Sequence, residues 1–217
     1  MKPKPAGKIS PSLLLDRAAL RRAEAHLAAA DPVMSELIAR HGPCRLGKRG
    51  ETPFESLAGA IIGQQLSTKA AATIRGRVAA LAGPGFEPAA ILARSPEELR
   101  AAGLSGAKTR YLRELAEKVL AGTFSFEIVV TLDDEAAIEA LTELSGIGRW
   151  TAEMFLLFHL QRADVLALGD GGLQRAAQLL YSQSRRKTDV LARAGESWRP
   201  YRSVASWYLW RHLDNEG

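Results

Sequence analysis

The chain has 217 residues, 47% of them hydrophobic and 24% charged, so its length allows one large domain or two small ones with a buried core. Its formal net charge is +5, and its only cysteine, Cys44, excludes an intrachain disulfide, a cysteine-based zinc site and a four-cysteine iron–sulfur cluster. We find neither the apolar stretch of a secretory signal nor an apolar run long enough to span a membrane. These features predict a cytoplasmic protein.

The charge is distributed unevenly along the chain. Residues 1–50 carry a net charge of +6, residues 51–147 of −4 and residues 148–217 of +3. Basic ends around an acidic middle predict a surface with one positive face, which suits a polyanion such as nucleic acid. The alternative is a basic protein whose charge serves solubility alone, and the charge does not decide between the two.

Helix-forming residues predominate, and no sustained alternation of apolar and polar residues indicates a β-strand. We predict one or two helices over residues 10–42, the second starting at Asp31, and then helices over 53–62 after Thr52, over 68–81 after Ser67, after Ser95, and over 106–121, 133–144, 149–161, 172–183 and 199–213. Residues 128–130 are β-branched, and we interpret them as a loop. The sequence therefore predicts an all-α core over residues 10–217 behind a flexible basic tail, residues 1–9.

The most informative segment is LTELSGIGRWTA at residues 141–152. One helix leads into a Gly-Ile-Gly turn and another leads out, which predicts a helix-hairpin-helix at about 135–161. Glycines at 146 and 148 allow a positive φ and a close approach of the backbone to a partner. The N–H groups at the start of the second helix could then bind a DNA phosphate without reading the base sequence. The alternative is an ordinary helical hairpin with a glycine cap.

This segment resembles the helix-hairpin-helix of the HhH-GPD superfamily of DNA glycosylases, in particular its DNA-3-methyladenine glycosylase II (AlkA-like) branch. The resemblance covers residues 30–213 and implies two helical subdomains flanking an active-site cleft. We expect this chain to lack the additional N-terminal β-domain of the AlkA-like relative. Ser145 stands where the family usually has proline, which we expect to loosen the turn slightly. The resemblance also implies DNA contacts and a monovalent cation, Na⁺ or K⁺, bound by backbone carbonyls. The implied DNA contacts at the hairpin are Gly146, Gly148, Arg149 and Thr151, and the implied carbonyl ligands are those of Thr142, Leu144 and Ile147.

The same resemblance indicates the chemistry. Bifunctional members use a lysine nucleophile where this chain has Trp150, so we predict a monofunctional enzyme in which water attacks. Asp170, 22 positions after Gly148, matches the essential aspartate of the family. A carboxylate there would stabilise the positive charge that develops on the sugar and would orient or deprotonate water. The alternative role of Asp170 is a helix N-cap, and the second candidate acid, Asp164, is interpreted as fixing a loop.

A glycosylase must also extrude its base and bind it. By resemblance, the segment 54–67 carries the wedge loop, with Gln65 as the intercalating residue, Leu66 as the neighbouring candidate and Ser67 as a phosphate contact. Lys108 is a further candidate contact with the DNA backbone. The implied base pocket consists of Trp150, Met154, Gly171 and Trp210, and core packing is the alternative role of its tryptophans. Met154 and Gly171 stand where the reference member of the resembling family has tyrosines near the base. This difference predicts a wider base pocket in this chain.

The leading hypothesis is a monomeric DNA glycosylase that removes alkylated bases from double-stranded DNA, leaves an abasic site and so begins base-excision repair. The expected substrates are 3-methyladenine and 7-methylguanine, with 1-methyladenine and 3-methylcytosine added by the wider pocket. We expect no required cofactor, no membrane partner and a location at the nucleoid. One alternative is a non-catalytic module that recognises bent or damaged duplex. The other is a glycosylase for oxidised purines or mismatches, which the absent lysine and cysteines disfavour.

Overall fold

The computed structural model describes residues 15–47, 50–83, 86–181 and 187–214. These residues form thirteen α-helices and one π-helix and contain no β-strand, which confirms the all-α prediction. The α-helices are α1 (Arg17–Ala30), α2 (Pro32–His41), α3 (Pro53–Gly63), α4 (Thr68–Ala82), α5 (Pro88–Leu92), α6 (Pro96–Ala101), α7 (Gly106–Leu120), α8 (Phe126–Thr131), α9 (Asp134–Thr142), α10 (Arg149–Met154), α11 (Gly171–Tyr181), α12 (Lys187–Ser197) and α13 (Arg202–Asp214). The predicted tail at residues 1–9 lies outside the described residues.

Capping side chains set the helix starts that the sequence predicts. Thr52 Oγ1 accepts a hydrogen bond from the backbone N–H of Glu55 at 3.1 Å, and Ser67 Oγ accepts one from Ala70 at 3.3 Å. Ser95 and Glu98 form a reciprocal capping box at the start of α6. Each cap provides an acceptor for an N–H group that has no partner within its helix.

The prediction of a loop at residues 128–130 is wrong, because these residues lie in α8. Ser125 caps this helix by accepting a hydrogen bond from the backbone N–H of Ile128 at 3.3 Å. Phe126 and Val129, one turn apart, are buried, whereas Ile128 and Val130 are exposed. Burial of one helical face here outweighs the β-propensity of the branched residues.

Three further details differ from the sequence-based assignment. The single helix predicted over 149–161 is α10 followed directly by a π-helix, Phe155–His159. Helices α5 and α12 were not predicted at all. Helix α5 is very short, and the apolar pattern of α12 is interrupted at Gly195, which is buried. A Cβ atom at that position would lie 2.5 Å from Cδ2 of Leu166, so a larger residue there would displace that side chain.

The chain divides into two compact helical units. The terminal unit consists of residues 1–48 and 156–217, and the central unit consists of residues 49–155. Each has its own apolar core: fully buried side chains include Leu27, Met34 and Trp198 in the terminal unit and Leu57, Ile61, Ile91 and Leu112 in the central unit. Within the described ranges, no helix has the length and apolar character needed to cross a membrane.

A buried carboxylate organises the terminal unit. Asp31, 6% exposed, caps α2 by accepting hydrogen bonds from the backbone N–H groups of Val33 at 2.9 Å and Met34 at 3.3 Å. Its Oδ2 accepts a hydrogen bond from Tyr181 Oη at 2.9 Å and another from Trp198 Nε1 at 2.8 Å. Burial and the adjacent carboxylate raise the pKa of Tyr181, so that its hydroxyl remains a donor. Asp31 therefore joins the start of α2 to the end of α11 and to the segment after α12.

Candidate active site

The predicted hairpin joins α9 to α10 in the central unit. Helix α9 ends at Thr142, Gly146 adopts a φ of +82°, and Gly148 precedes α10 at a φ of −91°. Gly148 has no side chain that could accept hydrogen bonds from the first N–H groups of α10. These donors therefore suit an anion placed before the helix start, as the sequence predicts.

Gly146 and Gly148 differ in how much room a side chain would have. A Cβ atom at Gly146 would overlap the ring of Tyr111, approaching its Cγ at 2.7 Å, and the positive φ would add backbone strain. At Gly148 a Cβ atom would meet no atom within 4 Å. The turn itself therefore requires glycine only at position 146.

We expect Gly146→Ala to lower the free energy of unfolding by about 2 kcal/mol or more, because overlap with Tyr111 and strain at positive φ act together. The matched control, Gly148→Ala, should stay within about 1 kcal/mol of the wild type. Urea unfolding of the two variants provides the measurement. Equal stabilities would contradict this account of the turn.

Two side chains from outside the hairpin bind the turn. The Ser145 hydroxyl forms a hydrogen bond with the Glu114 carboxylate of α7, and this bond lowers the pKa of Glu114. Gln64 Nε2 donates a hydrogen bond to the carbonyl oxygen of Gly146 at 2.7 Å. Ser145, which we expected to loosen the turn, thus connects it to α7, and Gln64 connects it to the predicted wedge loop.

The wedge loop lies between α3 and α4, in the same unit as the hairpin. Gln65 is exposed and has a φ of +56°, a conformation that is uncommon for a residue with a side chain and is concentrated at functional sites. Leu66 is 38% exposed, which is high for a large apolar side chain. The hydroxyl of Ser67 caps α4, as predicted. Both wedge candidates are therefore accessible.

Lys108 does not have the surroundings expected of a DNA contact. Its ammonium group donates hydrogen bonds to the carbonyl oxygens of Ile62 at 2.8 Å and Gln64 at 2.6 Å. Burial lowers the pKa of this amine. The sequence indicated a turn at this position, but it did not predict that the lysine would bind carbonyl groups of this protein.

Arg149 and Thr151 of α10 were both predicted to contact DNA, but the side chain of Arg149 binds carboxylates of the protein and Thr151 is buried. Arg149 binds both carboxylate oxygens of Glu135, at 2.7 and 2.9 Å, and its Nε donates to Glu153 at 3.0 Å. These carboxylates raise the pKa of Arg149. Thr151 is buried, so a contact with DNA would have to come from its backbone N–H.

Asp170 lies in the terminal unit, immediately before α11, and is 9% exposed. Its Oδ1 accepts a hydrogen bond from the backbone N–H of Leu173 at 2.8 Å and another from Trp210 Nε1 at 3.1 Å. The Trp210 ring stacks on Phe158, with ring centroids 5.8 Å apart and planes 25° apart. Asp170 therefore does cap α11, the alternative role that the sequence left open. The same two bonds fix the orientation of its carboxylate, and a fixed carboxylate is compatible with catalysis.

Gly172 packs beside the Asp170–Trp210 pair, a contact that the sequence analysis did not predict. A Cβ atom there would lie 3.1 Å from Asp170 Oδ1 and 3.4 Å from Trp210 Nε1, so glycine permits this close pairing. At Gly171, which is exposed, a Cβ atom would meet no atom within 4 Å outside its chain neighbours, so this predicted pocket residue has room for a side chain. The only signal in the sequence was the pair of glycines after Asp170.

The remaining predicted pocket residues lie in α10, in the central unit. Trp150 is 50% exposed, and Met154 is partly buried at the last position of the helix. Exposure of half a tryptophan favours a binding role over core packing. Asp164, the second candidate acid, forms ion pairs with Arg199 at 2.9 Å and Arg202 at 2.7 Å, as expected of a residue that fixes a loop.

The backbone at the end of α9 fits the implied cation. The described residues contain no group of three His, Cys, Asp or Glu side chains that could hold a metal. Thr142 ends α9, where carbonyl oxygens carry partial negative charge. The carbonyl of Leu144 accepts a hydrogen bond from the N–H of Ile147 at 3.0 Å and retains a second lone pair. Such oxygens suit a monovalent cation.

Comparison with known proteins places the chain in a family. Residues 58–200 match the HhH-GPD superfamily base excision DNA repair protein family. DNA-3-methyladenine glycosylase 1 of Schizosaccharomyces pombe is 34% identical over 204 residues, covering 88% of this chain and 87% of that protein. The structure of a DNA-3-methyladenine glycosidase from Bacillus halodurans aligns with a TM-score of 0.80 and 40% identity, covering 87% of this chain and 88% of that one. The structure of S. pombe 3-methyladenine DNA glycosylase with abasic DNA aligns with a TM-score of 0.77 and 32% identity, covering 89% and 97%.

A helical fold with a Gly-Ile-Gly hairpin and an oriented aspartate 22 residues after it is the arrangement of a DNA repair glycosylase. This chain belongs to the HhH-GPD superfamily of base excision DNA repair proteins. The resemblance inferred from the hairpin sequence is thereby confirmed.

Proposed function

We propose that this protein is a monofunctional DNA glycosylase that hydrolyses the N-glycosidic bond of alkylated bases, 3-methyladenine and 7-methylguanine among them, and leaves an abasic site. The observation that carries the proposal is the Asp170 carboxylate, nearly buried and oriented by Trp210 and by the start of α11. The relatives named as DNA-3-methyladenine glycosylases, similar over most of their length, support the choice of substrate class.

The role of Asp170 follows from the charge that the reaction develops. Breaking the bond between C1′ and the base places positive charge on the sugar, and a fixed carboxylate stabilises that charge without reorganising during the step. The same group orients or deprotonates the water that attacks C1′. A purine alkylated at N3 or N7 is already cationic and leaves as a neutral base, so the reaction needs no strong general acid.

DNA binding and base extrusion are assigned to the central unit. The N–H groups of Gly146, of Gly148 and of the first residues of α10 bind backbone phosphates, and a monovalent cation at the carbonyls of Thr142, Leu144 and Ile147 would hold the turn in shape. Gln65, with Leu66 beside it, fills the gap left by the extruded base.

We assign base-binding roles to Trp150 and Met154 in the central unit and to Gly171 and Trp210 in the terminal unit. Trp150 offers an exposed electron-rich face to a cationic base. Because a Cβ atom at Gly171 would meet no atom within 4 Å, we expect 1-methyladenine and 3-methylcytosine to be accepted as well as 3-methyladenine and 7-methylguanine. Release rates on duplexes that carry one defined lesion each test this range, and activity confined to 3-methyladenine and 7-methylguanine would contradict it.

The absence of lyase activity can be tested separately. Trp150 cannot attack C1′, and the amine of Lys108 is bound to two carbonyl oxygens. We expect no covalent enzyme–DNA complex when borohydride is added to a reaction with methylated duplex, and strand breaks only after alkali. A trapped complex, or breaks before alkali, would show a bifunctional enzyme.

A further inference from the structure

Two side chains hold the wedge loop: that of Gln64 binds it to the hairpin turn, and that of Lys108 binds it to α7. Gln64 donates a hydrogen bond to the carbonyl of Gly146, 82 positions away in sequence, and Lys108 donates to the carbonyls of Ile62 and Gln64. The donor–acceptor distances of the three bonds are 2.6–2.8 Å, and all three bonds lie within the central unit. Neither side chain has a part in the hydrolysis or in the phosphate contacts described above.

Lys108 binds the end of α3. This helix ends at Gly63, so the carbonyls of Ile62 and Gln64 lie where no further helical N–H is available to them. A cation at this end also interacts favourably with the helix dipole. Partial burial, which lowers the pKa of Lys108, indicates that its amine has exchanged water for these carbonyl oxygens.

Gln65 follows directly after the residue that both bonds hold. Gln64 is fixed through its carbonyl by Lys108 and through its side chain by the hairpin. The left-handed backbone of Gln65 is a conformation that persists only where the surrounding structure holds it. The wedge residue is therefore presented from a backbone that is held on its N-terminal side.

We propose that Gln64 and Lys108 are positioning residues that fix Gln65 relative to the phosphate-binding turn. Binding of the DNA backbone at the turn then brings an already ordered wedge to the base stack. This inference rests on the proposed function, because it assigns a role within base extrusion. The two possible roles of Lys108 can be told apart by experiment. A positioning lysine affects the extrusion of the base, whereas a phosphate-binding lysine affects the salt dependence of DNA affinity.

The test compares Lys108→Met and Gln64→Met with the wild type on two duplexes. In one, a single 7-methylguanine is paired with cytosine; in the other it lies opposite an abasic-site analogue and is easily extruded. We expect single-turnover release from the paired lesion to fall at least about tenfold, because small misplacements of a positioning group have large kinetic effects. Release from the unpaired lesion should remain within about threefold of the wild type.

Two control variants and one further readout accompany the test. Lys108→Arg, which can still donate to two carbonyls, should recover most of the rate. Arg100→Met, which removes an exposed positive charge from α6 in the same unit, should leave both rates unchanged. The fluorescence of 2-aminopurine beside the lesion, which reports unstacking, should rise less with Lys108→Met and Gln64→Met than with the wild type.

Several outcomes would overturn the inference. Equal loss on both duplexes would indicate a general structural role, and a reduced salt dependence of DNA binding in Lys108→Met would indicate a phosphate contact. If Lys108→Met does not fold, Gln64→Met alone decides. If the wild type releases no base, the proposed function fails, whereas the 2-aminopurine signal still tests the positioning role.

Discussion

Asp170→Asn should reduce base release by at least about 10²–10³-fold, the loss that follows when a preorganised electrostatic group is removed from a transition state. The substitution is well matched to the site. An asparagine carbonyl can still accept the hydrogen bonds from the N–H of Leu173 and from Trp210 Nε1, so the start of α11 is preserved while the negative charge is lost. Single-turnover release of base from methylated duplex is the measurement.

Asp170→Ala separates the catalytic from the capping role. Alanine removes both acceptor functions, so this variant should lose activity and also about 1 kcal/mol or more of stability. Asp170→Asn should lose activity alone and keep the DNA affinity of the wild type. If Asp170→Asn retained more than about a tenth of the wild-type rate, the carboxylate would serve only as an N-cap, and the catalytic assignment would be wrong.

Asp31→Ala should lower the free energy of unfolding by about 3–5 kcal/mol. The variant removes the cap of α2 and leaves the hydroxyl of Tyr181 and the indole N–H of Trp198 without their acceptor in a buried environment. A buried donor without a partner costs more than the bond itself contributes. Urea unfolding monitored by circular dichroism measures this loss.

The control for this prediction is Asp16→Ala. Asp16 is exposed and caps α1 through one bond, from the N–H of Ala19 at 2.6 Å, so its removal should cost about 1 kcal/mol. Equal losses in the two variants would show that the buried bonds of Asp31 contribute nothing beyond the cap.

Features that depend on neighbouring residues could be predicted from the sequence. Thr52 and Ser67 begin helices because their hydroxyl groups lie three residues before the N–H groups that they bind. Gly146 could likewise be recognised, since its turn is defined by residues next to it. The placement of Asp170 before a helix followed from the Gly-Gly pair and the helical run after it.

Features that depend on residues distant in sequence could not be predicted. The bond between Gln64 and Gly146 joins positions 82 apart, and nothing in either local pattern indicates it. Lys108 was expected at the DNA by resemblance to the family, whereas its acceptors lie 44 and 46 residues away in this chain. The requirement for glycine at 172 arises only when Trp210 packs against Asp170. Long-range packing of this kind also made α8 helical against the propensity of its residues.

The most direct test of the central claim is to identify what the wild-type protein releases from methylated duplex DNA. We predict free 3-methyladenine and 7-methylguanine, in amounts equal to the abasic sites formed, and strands that break only after alkali. Tight binding to the same duplex without release of any base would contradict the glycosylase assignment and favour a non-catalytic DNA-binding module.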